Sequence, residues 1–271
     1  MCYIELFGLE LSTIASEAFK DVTVTWDLEL SNSKISTFEE NPFVSLTVTN
    51  GALELQNNLI QAVTAKMFSD AGSNVKTLDL SDNQIQSLHE DAFKGVTIGA
   101  IKLMNNKLVT FPSRSLRHQN SITELDLTNN QISTLPPGEL DVFTNLVKLI
   151  LQQNKIPELG TNLFQHQTNL QYLDLENNVI GEIQVGAFNN LDSIEYILLQ
   201  ANKIVFLPTF PSLSNLRTLN VKGNKIENIG QDCFGGLTNL NTLYFNGNNN
   251  LTCGLQCVQL PCCRHRIPIC K

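Results

Sequence analysis

Long apolar runs are missing from this chain: no stretch approaches the roughly 18 consecutive apolar residues that a membrane span needs. Charge is sparse, at 16% of residues, and it leans acidic, with a net of −8. That balance argues against nucleic acid or an anionic membrane as a partner. Catalytic signatures are also missing. There is no glycine-rich phosphate loop, no G-x-S-x-G and no H-E-x-x-H. The four histidines, His89, His118, His166 and His265, fall at unrelated positions and make no ligand cluster by spacing. No acid/base pair has an evident reason for a perturbed pKa. No linker, low-complexity run or heptad tract divides the chain. An enzyme, a cofactor site and a metal site are therefore not expected.

What is present is a repeat. Its cleanest copy runs Val75-x-x-Leu78-x-Leu80-x-x-Asn83-x-Ile85-x-x-Leu88, with Phe93 further on. The asparagine recurs as Asn58, Asn83, Asn106, Asn130, Asn154, Asn178, Asn202, Asn224 and Asn248, at spacings of 22 to 25 residues. Ser33 holds the slot one repeat earlier, and Leu9 holds it in a degenerate first copy. This is the leucine-rich-repeat pattern, and it implies an α/β solenoid shaped as a horseshoe. About eleven repeats of 22–25 residues are expected, with a parallel β-sheet on the concave face and a mostly irregular convex side. The expected organisation is a solenoid over 1–250 and a cysteine-rich cap over 251–271.

Each column has a physical reading. In the L-x-L pair, alternation sends Leu78 and Leu80 inward and Asp79 outward. The turn after the strand leaves backbone groups without ladder partners. A buried asparagine carries both a carbonyl and an amide, so stacked copies can bond the neighbouring turns. Phe19, Phe43, Phe68, Phe93, Phe164, Phe188 and Phe234 sit ten residues after the asparagine slot and should fill the core on the convex side. Leu116 and Leu140 replace the ring in two repeats. The repeat from Asn202 to Asn224 is two residues short, and by this count it lacks the ring; Pro208 and Pro211 suggest an extended segment there. One repeat cannot bury its own apolar face, so stability comes from stacking.

Cysteine usage points to an oxidising compartment. Cys253, Cys257, Cys262, Cys263 and Cys270 crowd the last 19 residues. A small segment closing a solenoid has little core of its own, and disulfides can hold it. Zinc is the competing reading, but the spacing is not that of a zinc finger. Five cysteines allow two bridges and one spare, and the adjacent Cys262-Cys263 offers a disulfide-linked dimer. Cys233 reads as a buried free thiol. Asn250-Leu251-Thr252 is an N-glycosylation acceptor. Met1-Cys2-Tyr3 leads straight into the first strand, so an upstream cap and signal peptide are expected. Secretion is the expected localisation.

Function should then lie on the outward strand columns. One reads Glu5, Glu29, Glu54, Asp79, Lys102, Asp126, Ile150, Asp174, Leu198, Asn220 and Tyr244; its neighbour includes Lys148, Tyr172 and Tyr196. Glu5, Glu29, Glu54, Asp79 and Asp126 make an acidic ribbon broken by Lys102. Charge runs of this kind usually serve solvation. Ile150, Tyr172, Tyr196, Leu198 and Tyr244 are apolar or aromatic where solvent is expected, a composition typical of protein-binding hot spots. A protein ligand on the concave face is the expected partner, with Tyr172, Tyr196, Ile150 and Leu198 forming one compact apolar patch.

The N-x-I/L-x-x-L/I-x-x-x-A-F pattern resembles metazoan extracellular leucine-rich repeats, as in Toll-type receptors, Slit-type guidance proteins and secreted immune proteins. The cap departs from the N-P-W-x-C-x-C form of the Slit and Toll groups. A single cysteine followed by the double Cys262-Cys263 is similar to the secreted leucine-rich-repeat immune proteins of mosquitoes. That resemblance implies a secreted innate-immunity factor that pairs through a disulfide and holds a complement-like protein, although the coiled coil usual in that family is not in this chain. A receptor ectodomain and an intracellular scaffold are the alternatives.

Overall fold

The computed structural model describes residues 3–49, 51–65, 67–68 and 74–248. The expected cap over 251–271, with Cys253, Cys257, Cys262, Cys263 and Cys270, lies outside the described residues, as does Asn250 of the glycosylation acceptor. The chain divides into two compact units, Met1–Asn130 and Gln131–Lys271. Each is a parallel-strand solenoid.

The strands of the first unit's main sheet follow chain order: Ile4–Glu5, Leu28–Glu29, Ala52–Glu54, Asn74–Asp79, Thr97–Lys102 and Glu124–Asp126. The second unit continues the scheme with Lys148–Ile150, Tyr172–Asp174, Tyr196–Leu198, Thr218–Asn220 and Thr242–Tyr244. Among the described residues the return segments hold turns and two-residue strands, and no helix. Some of these short strands pair two by two, as Ala62–Val63 does with Ser87–Leu88 and Phe206–Leu207 with Asn228–Ile229.

The asparagine column is a ladder of side-chain bonds to the preceding repeat. Asn83 Oδ1 accepts the Ile60 N–H at 3.0 Å, while its Nδ2 donates to Leu55 O at 3.0 Å and Leu80 O at 3.1 Å. Asn202 repeats the arrangement in the second unit, with Ile180 N at 3.0 Å and Leu175 O at 2.9 Å. Ser33 Oγ does the same work more weakly, accepting the Leu9 N–H at 3.2 Å. Each amide thus satisfies backbone groups that the turn removes from the sheet ladder.

The residue before the ladder asparagine takes a left-handed conformation, and the sequence serves it unevenly. Asn32, Asn57, Asp82, Asn105, Asn129 and Asn177 have φ between 52° and 56°, and Gly223 and Gly247 lie at 66° and 80°. These types tolerate the region. Gln153 and Ala201 stand there at 57° and 56°, where a Cβ is unfavourable.

Stacked rings fill the return side of each core. Phe19, Phe43, Phe68 and Phe93 stack in the first unit at 5.5–5.6 Å between centroids. In the second unit Phe188 is followed by Phe210 at 5.3 Å, and Phe210 by Phe234 at 6.5 Å. The short repeat therefore does not lack its ring. The two-residue deletion moves the phenylalanine from ten to eight residues after Asn202, and Phe210 is buried there between Pro208 and Pro211. Gln119 and Gln167 are buried where other repeats place leucine, valine or phenylalanine. Their Nε2 groups donate to Phe93 O and Val96 O, both at 2.8 Å, and to Leu140 O at 2.7 Å.

Candidate protein-binding face

The outward face of the second unit's sheet is built on strict register. Lys148, Tyr172, Tyr196, Thr218 and Thr242 pair across successive strands, and so do Ile150, Asp174, Leu198, Asn220 and Tyr244. Leu149, Leu173, Ile197, Leu219 and Leu243 alternate with them and point into the core. Tyr172 and Tyr196, on adjacent strands, bring their ring centroids to 5.8 Å with planes inclined by 43°. Lys148 Nζ lies 5.8 Å from the Tyr172 centroid, within reach of a cation–π contact. Tyr196 and Tyr244 are exposed, while Tyr172, Ile150 and Leu198 are half-buried.

Ile150 and Leu198 lie on the strands either side of Asp174, in the column beside the tyrosines. Asp174 stands between them in the register and is buried, at 6% exposure. Its Oδ1 accepts the Glu176 N–H at 2.9 Å, and its Oδ2 accepts the Tyr172 hydroxyl at 3.4 Å. Burial first, and the Asp174 charge second, push the Tyr172 hydroxyl up to about 12. The face is therefore an aromatic pair with a carboxylate set into its floor. Tyr244 lies two strands beyond Leu198 in the same column, with Asn220 between, so it is apart from the pair.

The buried carboxylate was not legible because outward positions were read as solvated. A regular turn device explains it. Asp79, Asp126, Asp174 and Asn220 each end a sheet strand and accept the N–H two residues on, at 2.9–3.1 Å, at Ser81, Thr128, Glu176 and Lys222. A short side-chain oxygen at this place closes the turn leading to the ladder asparagine.

The same device revises the acidic ribbon of the first unit. Register does align Glu5, Glu29, Glu54 and Asp79, followed by Lys102 and Asp126. Yet Asp79 and Asp126 hold turns, and Asp79 also pairs with Lys102 Nζ at 3.3 Å. Glu29 is engaged by Ser31 Oγ at 2.7 Å and Tyr3 hydroxyl at 3.2 Å. Partial burial, and behind it the charges of Glu29, Asp27 and Asp79, raise the Glu54 carboxyl. Glu5 is exposed at the end of the row.

Among the described residues no group of three or more His, Cys, Asp or Glu side chains could hold a metal ion. Cys233 is free and buried; its Sγ lies 3.1 Å from Pro208 O, and burial pushes the thiol up to about 12.

A model of the leucine rich repeat family matches residues 52–98, 99–156, 144–204 and 208–252. The chain belongs to the leucine-rich-repeat family. Tsukushi of Gallus gallus is 32% identical over 121 residues, which cover 40% of this chain and 32% of that protein. Among solved structures, a chain of the TLR13–ssRNA13 complex superposes with a TM-score of 0.78 at 28% identity, covering 88% of this chain and 35% of that one. A chain of the Toll–Spatzle complex, described as a molecular hub in Drosophila development and innate immunity, gives 0.66 at 24% identity over 81% of this chain and 33% of that one. This chain thus spans about a third of the length of each.

Proposed function

We propose that this chain is an extracellular, non-enzymatic binding module of innate-immune recognition type, and that it takes a protein ligand on the outward sheet face of the second unit. The observation that carries the reading is the Tyr172–Tyr196 pair. Nothing in the repeat demands aromatic side chains there, since Thr218 and Thr242 fill the same column two and three strands from Tyr172. Tyrosines in contact offer large, rigid area with little entropy to lose on docking. Extracellular placement is supported by the cysteine-rich last 19 residues, the Asn250 acceptor and the likeness to Toll. The acidic row from Glu5 to Glu54 serves as a secondary, electrostatic contact.

A receptor ectodomain is the second reading. The likeness to the much longer TLR13 chain, which is solved with single-stranded RNA, favours it. The acidic balance of this chain nonetheless makes protein the better ligand class.

The test uses the folded protein as bait in extracellular fluid of its source, beside a Tyr196→Arg variant. A protein retained by the first and lost from the second supports the reading. Equal retention by both, or retention of nucleic acid instead, contradicts it.

A further inference from the structure

We propose that a cleft among the return segments of the first unit binds the oxyanion group of a small ligand, a carboxylate, sulfate or phosphate, through Arg114. The cleft has a clear origin. The short ladder of Ala62–Val63 with Ser87–Leu88 has two strands and is not continued by the next return segment. In that segment Phe111 is followed by Pro112, which has no N–H to offer a ladder. Ser115 Oγ reaches back instead and donates to Leu88 O at 2.6 Å. Two adjoining openings result, of about 520 Å³ and about 210 Å³. Ser87, Leu88, Glu90 and Arg114 line both of them. The larger is open to solvent over much of its extent.

Charge and donor placement give the ligand class. Glu90 is already engaged by Arg117 Nη1 at 3.0 Å, and Arg117 Nη2 holds Asp91 at 2.8 Å. Arg217 is likewise paired, with Glu195 at 3.4 Å. Arg114 makes no ion pair or hydrogen bond among the described residues, in a chain with an excess of acids. On the wall of the larger opening, His89 Nδ1 accepts the Asp91 N–H at 3.1 Å, which assigns the ring proton to Nε2. The cleft is therefore lined by the uncommitted Arg114 together with His89, Ser87 and Thr64, and by a Glu90 already held by Arg117. A planar fork of donors matches an oxyanion geometrically, and a charge-assisted bond is the stronger kind. The site is separate from the tyrosine face and independent of the function proposed for it.

Nuclear magnetic resonance titration with sodium sulfate, sodium phosphate and sodium citrate, at ionic strength held constant with chloride, tests the proposal. At least one anion should give saturable shifts at Ser87 and His89, and the anion that does so identifies the ligand chemistry. Arg114→Gln, at an exposed position, should weaken that binding at least tenfold with an unchanged melting temperature. Lys94→Gln, another exposed cation of this unit, should leave it unaltered. Shifts that never saturate with any anion, binding that Arg114→Gln leaves intact, or equal weakening by both variants overturns the proposal.

Discussion

Asn130 holds Leu108 of the preceding repeat by its side chain: Oδ1 accepts the Leu108 N–H at 3.0 Å, and Nδ2 donates to Leu103 O at 2.9 Å. Asn130→Ala strands these buried groups at once. A loss of at least about 2 kcal/mol is expected, since each buried unsatisfied group costs about 1–3 kcal/mol. Asp126→Ala removes one bond, to Thr128 N, at the sheet surface. It should cost about 1 kcal/mol or less. Chemical denaturation of both variants checks the order; equal losses contradict the assigned ladder.

Ala201 sits at φ 56° in a column otherwise served mostly by Asn, Asp and Gly. Ala201→Gly relieves a left-handed penalty of about 1 kcal/mol, partly offset by chain entropy. Stabilisation by about 0.5 kcal/mol is expected in the same denaturation assay, whereas Gly223→Ala, at φ 66°, should destabilise.

Phe210→Ala empties a ring position that is buried on both sides by Phe188 and Phe234. A loss of about 3–5 kcal/mol is expected. Phe206, nearby in sequence but 46% exposed, should cost far less on truncation to Ala. Thermal melting of the pair distinguishes the ring column from mere local hydrophobicity.

The hydroxyl of Tyr172 should ionise late. Its folded value is raised to about 12, against about 10 in an unfolded chain. The neutral phenol is thus favoured in the folded state. The associated stability is present below about pH 10 and is lost as pH rises towards 12. A tyrosinate absorbance titration should lose a late step in Tyr172→Phe. Loss of a step near pH 10 instead would falsify the buried hydroxyl–carboxylate contact.

Much of this fold was legible because the repeat writes one physical requirement many times. Asn83 and Asn130 occupy the ladder slots that spacing assigns, and Leu78 and Leu80 point inward as alternation requires. Phe210 was missed because a deletion changes the count while the core still demands a ring. The unusual Phe between two prolines was the available signal. The candidate face was legible only in outline. Register alone brings Tyr172 beside Tyr196, but burial of Asp174 depends on the bulk of its neighbours and on a turn bond, neither of which a polar letter at an outward position reveals. Arg114 escaped notice because its cleft arises from a break in a two-residue ladder, a feature with no periodic trace.

The tyrosine pair is proposed as a binding surface rather than a structural filler. The direct measurement is the affinity of the partner for Tyr172→Ala, Tyr196→Ala and the double variant, with melting temperatures taken in parallel. The double variant should melt close to the parent but lose about 2 kcal/mol or more of binding, as hot-spot residues do. Unchanged affinity in the double variant, or a collapse of folding in its place, contradicts it.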